Sequence, residues 1–204
     1  MNRSTRRSAL FLDRDGVINE EVNYLYRIDD FVFIPGVFET CRMFQDAGFA
    51  LVVVTNQSGI ARGYYSEEEY HLLTRWMTGR FAEAGIFLTD VLYCPHHPGG
   101  SVAAFRRSCG CRKPEPGMIL DACVRHDLDP ATSVLVGDKL SDIQAGRNAG
   151  VGALVLVHSG HELDREEVLQ AHHVAESLGQ TDLFRRWFLQ DRSGKDSTAS
   201  AMGE

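Results

Sequence analysis

The sequence predicts an α/β protein built on a Rossmann-like, mainly parallel sheet with helices on both faces. Two observations carry this expectation. Apolar runs of four to six residues recur along the chain, and helix-patterned segments separate them. Continuous apolar runs suit strands buried on both faces. Strand–helix alternation calls for parallel pairing through right-handed crossovers.

The elements follow in order. Residues 8–12 form the first apolar run, which stops at Asp13. Residues 37–47 place Val37, Cys41, Phe44 and Ala47 on one helical face, and Gly48 ends that helix. FALVVV (49–54) is β-branched and stops at Thr55. Ser66-Glu67-Glu68-Glu69 reads as a capping box opening a helix over 66–84. Residues 91–93 are a weaker strand, 116–126 a helix, and 133–136 a strand ending at Gly137-Asp138. A helix over 141–149 ends at Gly150, and ALVLV at 153–157 is the fifth strand. Residues 168–189 read as one further helical region anchored by Phe184, Trp187 and Phe188. The small polar run 191–204 reads as a disordered tail beyond a single domain over 1–190.

Composition narrows the function classes. A net charge of −7 argues against broad nucleic-acid binding. No run of about 18 apolar residues suggests a membrane span. The basic start, MNRSTRR, precedes only four apolar residues, too few for a signal peptide, so a cytoplasmic, monomeric protein is expected. Three of the five cysteines cluster with a histidine: Cys94, His96, Cys109 and Cys111, with His97 as the alternative imidazole. Three thiolates and one imidazole complete a tetrahedral Zn²⁺ shell with no open position, which indicates a structural ion stapling the Pro/Gly-rich loop at 93–112. Cys41 and Cys123 lie on apolar helix faces and belong to the core. His172 and His173 are expected at the surface.

In open α/β sheets, ligands bind beyond the carboxyl ends of the strands. Here three strand ends deliver Asp13, Thr55 and Asp138. Asp13 and Asp15, two apart, can both face such a crevice, one as a nucleophile on phosphorus and the other as a proton donor and acceptor. A divalent cation removes the repulsion between these carboxylates and a phosphate dianion; Mg²⁺ suits carboxylates and phosphate oxygens. Asp138 is the better direct ligand, because Asp142 lies one helical turn further on. Thr55-Asn56-Gln57-Ser58-Gly59 offers a hydroxyl and backbone N–H groups as a phosphate cradle, though such residues also favour plain turns. Lys113 adds a positive point charge, and Arg112 can fork onto a second phosphate or sugar hydroxyls.

LDRDGVIN, VVVTNQSGIARG, YCPHHPGGS, CGCRKPEPGM and VGDKLSDIQAG resemble, in this order, the haloacid-dehalogenase-like (HAD-like) phosphatases. The resemblance implies Asp13 as nucleophile and Asp15 as general acid/base. It implies Mg²⁺ held by Asp13, the Asp15 main-chain carbonyl and Asp138. Thr55 and Lys113 would steady the transferring phosphoryl group. Arg14, Glu21, Val22, Asn23, Tyr24, Asn56, Gln57, Ser58, Arg112 and Lys139 would bind a small sugar-phosphate substrate. Cys94, His96, Cys109 and Cys111 would hold zinc, in a loop standing in for a large cap domain. One departure is Val17, where the superfamily often has threonine. The contrasting reading, a non-catalytic zinc module for phosphorylated partners, leaves the complete acid, hydroxyl and lysine set without a purpose.

Overall fold

The structure is a computed structural model and describes residues 6–160 and 165–189. Among them six strands form one sheet: β1 (Ala9–Leu12), β2 (Ala50–Asn56), β3 (Asp90–Cys94), β4 (Val134–Gly137), β5 (Ala153–Val157) and β6 (His173–Ala175). Their spatial order is β3-β2-β1-β4-β5-β6, and every pairing is parallel. The helices are α1 (Val37–Asp46), α2 (Ser58–Arg62), α3 (Glu67–Glu83), α4 (Gly117–His126), α5 (Leu140–Asn148), α6 (Arg165–Gln170) and α7 (Thr181–Phe188). The strand order reverses between β1 and β4, which is where an open α/β sheet leaves a crevice at its carboxyl edge.

Side chains alternate between the two faces of a strand, so each apolar run feeds two cores. Leu10, Leu12, Leu51, Val53, Val134, Val136, Val155 and Val157 meet α1, α3 and α7 on one side. Ala9, Phe11, Ala50, Val52, Val54, Leu135, Leu154 and Leu156 meet α4 and α5 on the other. This is why the runs show no polar positions. Cys41 and Cys123 are buried in these two cores, as expected. Val17 is fully buried among the apolar residues of the first. The α3 capping box forms as read: Ser66 Oγ accepts from the Glu69 N–H at 3.2 Å, and Glu69 Oε2 accepts from the Ser66 N–H at 2.7 Å.

Two expectations need correction. Residues 168–189 are not one helical region: α6 ends at Gln170, β6 adds to the edge of β5, and α7 follows. Pairing with the open β5 edge satisfies the backbone of His173–Ala175 and overrides their weak local signal. The α7 aromatics do anchor as read, with Phe184 and Phe188 against Phe44. His172 is exposed, but His173 is half-buried and stacks on Trp187 at 4.5 Å. In the stretch after Thr55, Ser58 opens α2. The expected domain end at 190 and the tail over 191–204 lie outside the described residues.

Candidate active site and metal centres

The sheet register brings the strand ends together. The Asp13 N–H donates to the Val136 carbonyl at 3.0 Å, which sets it beside the end of β4 and Asp138. Asp13 (7% exposed) and Asp138 (fully buried) then face Asp142 from the first turn of α5. Carboxylate oxygens of the three lie within 4.8 Å of one another. Burial and crowding with Asp142 push Asp138 up to about 8, and burial pushes Asp13 up to about 6 despite the nearby Lys113. The backbone closes tightly on this cluster. A Cβ at Gly16, where φ is +79°, would sit 2.5 Å from Asp138 Oδ2, and one at Gly160 would sit 1.9 Å from it. An all-oxygen, acidic, buried donor set fits a hard divalent cation such as Mg²⁺.

Lys113 is no surface lysine. It is 3% exposed, and its Nζ lies 3.0 Å from Asp13, 2.6 Å from Asp142 and 2.8 Å from the Val54 carbonyl. Burial works against its charge, but Asp13 and Asp142 outweigh it and the pKa is raised. Asn56 holds the Lys113 backbone in place, donating to its carbonyl and accepting from its N–H, both at 3.1 Å.

Asp15 is held by three side chains. Arg14 Nη2 reaches both its oxygens at 2.9 Å, Asn19 Nδ2 reaches Oδ1 at 3.1 Å, and Gln57 Nε2 reaches Oδ2 at 3.1 Å. Lys139 spans Glu21 (2.8 Å) and Asp138 (3.4 Å), whose charges raise its pKa against the opposing effect of burial.

These groups surround a polar hollow of about 210 Å³. Of the residues expected there, Asp13, Asp15, Glu21, Asn23, Tyr24, Asn56, Gln57, Ser58, Lys113 and Lys139 line it. Thr55 and Asp138 lie buried behind that lining. Three residues expected to contact substrate do not line the hollow. Arg14 is 1% exposed and its guanidinium is turned onto Asp15 and the Leu25 carbonyl. Val22 is exposed on the loop surface, and Arg112 reaches towards the His96 carbonyl. The metal-capable trio contains Asp142, passed over in favour of Asp138, and not the Asp15 side chain. Gly59, read with the phosphate cradle, also lines the hollow; sequence reasoning missed Tyr65 and Ser141 there. Ser141 lies within the VGDKLSDIQAG motif, whereas Tyr65 carried no local signal.

A second cluster follows β3. Cys94, Cys109 and Cys111 place their sulfurs 3.2–3.4 Å apart, too far for a disulfide. His96 Nδ1 lies 3.5 Å from Cys111 Sγ and 3.8 Å from Cys94 Sγ. His97 faces away, with Nδ1 accepting from the Gly99 N–H and Nε2 beside Arg62. These four ligand atoms can hold a metal ion.

The HAD-hydrolase-like family matches residues 110–181. A D-glycero-beta-D-manno-heptose-1,7-bisphosphate 7-phosphatase from Yersinia pestis is 49% identical over 170 residues, covering 83% of this chain and 90% of that protein. The alpha-anomer counterpart from Photorhabdus laumondii is 48% identical over 151 residues, covering 74% and 82%. The crystal structure of D,D-heptose 1,7-bisphosphate phosphatase from B. bronchiseptica, complexed with magnesium and phosphate, superposes with a TM-score of 0.74 at 32% identity, covering 88% of this chain and 99% of that one. Aspartates at a switch-point crevice, a buried lysine between them and these similarities agree: the chain belongs to the D-glycero-D-manno-heptose-1,7-bisphosphate 7-phosphatase family of HAD-like phosphoric monoester hydrolases.

Proposed function

We propose that this protein removes the C7 phosphate of D-glycero-D-manno-heptose 1,7-bisphosphate and leaves heptose 1-phosphate, an early step towards nucleotide-activated heptose for lipopolysaccharide core. The observation that carries the reading is the convergence of Asp13, Asp15, Asp138 and Lys113 on one small polar hollow at the switch point. Asp13 attacks phosphorus, the phosphorus–O7 bond breaks, and Asp15 gives its proton to the departing sugar oxygen. Asp15 then takes a proton from the water that hydrolyses the aspartyl phosphate, releasing inorganic phosphate. Lys113 steadies the phosphoryl oxygens as a fixed cation. Thr55 Oγ1 already accepts from Gln57 Nε2 at 2.9 Å, which leaves its own hydrogen to donate. Asp13 and Asp138, with the Asp15 main-chain carbonyl, would hold the Mg²⁺, which when bound would supply the positive charge that neutralises the dianion. Asp142, tied to Lys113 and to the Lys139 N–H at 3.0 Å, positions that lysine.

Arg112 and Lys139 supply positive charge for the second phosphate. Arg112 turns from the His96 carbonyl to do so, since its present contact, at 3.4 Å, is long and weak. A substrate panel tests the assignment: both anomers of the heptose bisphosphate, fructose 1,6-bisphosphate and histidinol phosphate, each with Mg²⁺. One heptose anomer is expected to give the highest kcat/KM by at least about tenfold, a margin worth about 1.4 kcal/mol. Equal or better turnover of histidinol phosphate overturns the sugar assignment.

The Cys94–His96–Cys109–Cys111 cluster is the zinc staple. Three thiolates, with sulfurs 3.2–3.4 Å apart, and the His96 imidazole would hold a Zn²⁺ ion and fix the loop. Arg107 Nη2 lies 2.7 Å from His96 Nε2. With Nδ1 turned to the sulfurs as a ligand, Nε2 would carry the ring proton, and Arg107 would turn outward from this second donor. The staple sits one residue before Arg112-Lys113, so it also sets the entry of the catalytic lysine. Free thiols in this number fit a reducing cytoplasm. Metal analysis is expected to find about one zinc per chain. Cys109→Ser is expected to lose it and to melt about 10 °C lower, or about 3–4 kcal/mol for a chain of this size. Full zinc content in that variant counts against the staple.

A further inference from the structure

Gln57 is 2% exposed, and every polar atom of its amide is engaged within the protein. Nε2 donates to Asp15 Oδ2 at 3.1 Å and to Thr55 Oγ1 at 2.9 Å. Oε1 accepts from the Tyr65 hydroxyl at 2.5 Å. An amide can turn over about its last bond, exchanging oxygen for nitrogen. Turned over here, Oε1 would face a carboxylate and lose both donations. The Tyr65 O–H supports the observed orientation, because its buried proton finds its acceptor in Oε1.

The ring that carries this hydroxyl has little freedom. It stacks on Tyr26 at 5.4 Å with 14° between planes. It also rests on Gly59, where a Cβ would meet Tyr65 Cε1 at 2.1 Å. Burial raises the phenol's pKa, so the group stays a donor across the working range.

We propose that Tyr65 is a positioning residue for proton transfer: through Gln57 it keeps the Asp15 carboxyl turned to the leaving oxygen. The proposal rests on the reading of Asp15 as the acid and base. Arg14 and Asn19 hold the same carboxyl, but both lie on its own loop, whereas Gln57 reaches it from the N-cap of α2, just after β2, and is itself held by Tyr65 from the turn before α3. They therefore couple the proton donor to Thr55, the hydroxyl at the phosphoryl group. Loss of the Tyr65 hydroxyl removes the anchor on Oε1, and the amide, one of the three side-chain tethers of Asp15, is held less firmly.

The experiment compares two substrates by kcat/KM, which reports the steps up to loss of the leaving group. The heptose bisphosphate leaves as an alkoxide and needs a proton. p-Nitrophenyl phosphate leaves as a stable phenolate and does not. Tyr65→Phe keeps the ring and is expected to lower kcat/KM about tenfold on the sugar phosphate and less than about twofold on the aryl ester, a fraction of what general acid catalysis supplies. Gly59→Ala, which displaces the ring, is expected to show the same bias. Asp15→Asn is expected to show it more strongly. Equal losses on both substrates in Tyr65→Phe, with the bias present in Asp15→Asn, overturn the proposal and leave the acid assignment standing. Absence of the bias in Asp15→Asn overturns both.

Discussion

Asp13→Asn is expected to abolish phosphate release, with kcat down by at least about 10⁴-fold, while the protein melts no lower than the parent. The first half follows from chemistry: a carboxamide cannot open the covalent route, and the groups left behind only bind and polarise. The second half follows from the surroundings. Asp13 is buried, and Asp142, Asp15 and Asp138 all press their charge on it or receive its own. The amide keeps its shape, and Oδ1 still accepts from the Arg14 N–H, now at 2.7 Å. Lys113 keeps its shorter contact with Asp142 at 2.6 Å. Removing one of several crowded negative charges offsets the weakened ion pair. Colorimetric phosphate release and a melting curve on the same preparation check both halves. Residual turnover within tenfold of the parent removes Asp13 from the nucleophile's role.

The contrast between legible and illegible parts has a physical basis. β1, β2, β4 and β5 were readable because both faces of each are buried, so their runs are apolar, FALVVV being the clearest case, whereas β3, half-buried at the sheet edge and opening on Asp90, gave a weaker signal. β6 was not, because His173–Ala175 is held by pairing with β5 and by the stacking of His173 on Trp187, both set by tertiary placement. The aspartates and the threonine were readable because a polar residue that ends an apolar strand has a known destination, the carboxyl edge. The roles of the amides were not. Asn56 and Gln57 both line the hollow, yet Asn56 hydrogen-bonds to Lys113, 57 residues away, and Gln57 to Asp15, 42 residues away. Composition near a site predicts polarity there but not which polar atoms are left free for a ligand. Arg14 shows the same limit, since its charge is consumed by its own neighbour, Asp15.

Lys113→Met is expected to damage stability and activity together, and magnesium is expected to restore only the first. The ammonium offsets two buried carboxylates at 3.0 Å and 2.6 Å, with Asp138 close by. Removing one partner of such a set leaves uncompensated buried charge, at a cost of about 3–5 kcal/mol. It also removes a fixed cation from the phosphoryl group, worth about 10²–10³ in kcat. The pH dependence separates this from simple loss of packing. Asp13 and Asp138 have folded values of about 6 and about 8, above the ordinary 3.8. The folded chain therefore retains protons that the unfolded chain releases. That contribution is complete below about pH 4 and is lost as pH rises through 6 and then 8, at about 1.4 kcal/mol per unit for each group. Magnesium-free parent protein should thus melt lower at pH 9 than at pH 5. Lys113→Met, lacking the charge that holds these acids down, should fall more steeply. A cation bound only by the folded state stabilises with the logarithm of its concentration over Kd, so millimolar Mg²⁺ should flatten both curves. The variant would then be folded, metal-loaded and still slow, because a metal ion answers the repulsion among the aspartates but does not replace the donor that Lys113 presents to the phosphoryl oxygens. A parent protein whose melting temperature rises from pH 5 to pH 9 without magnesium would contradict the crowded-carboxylate account.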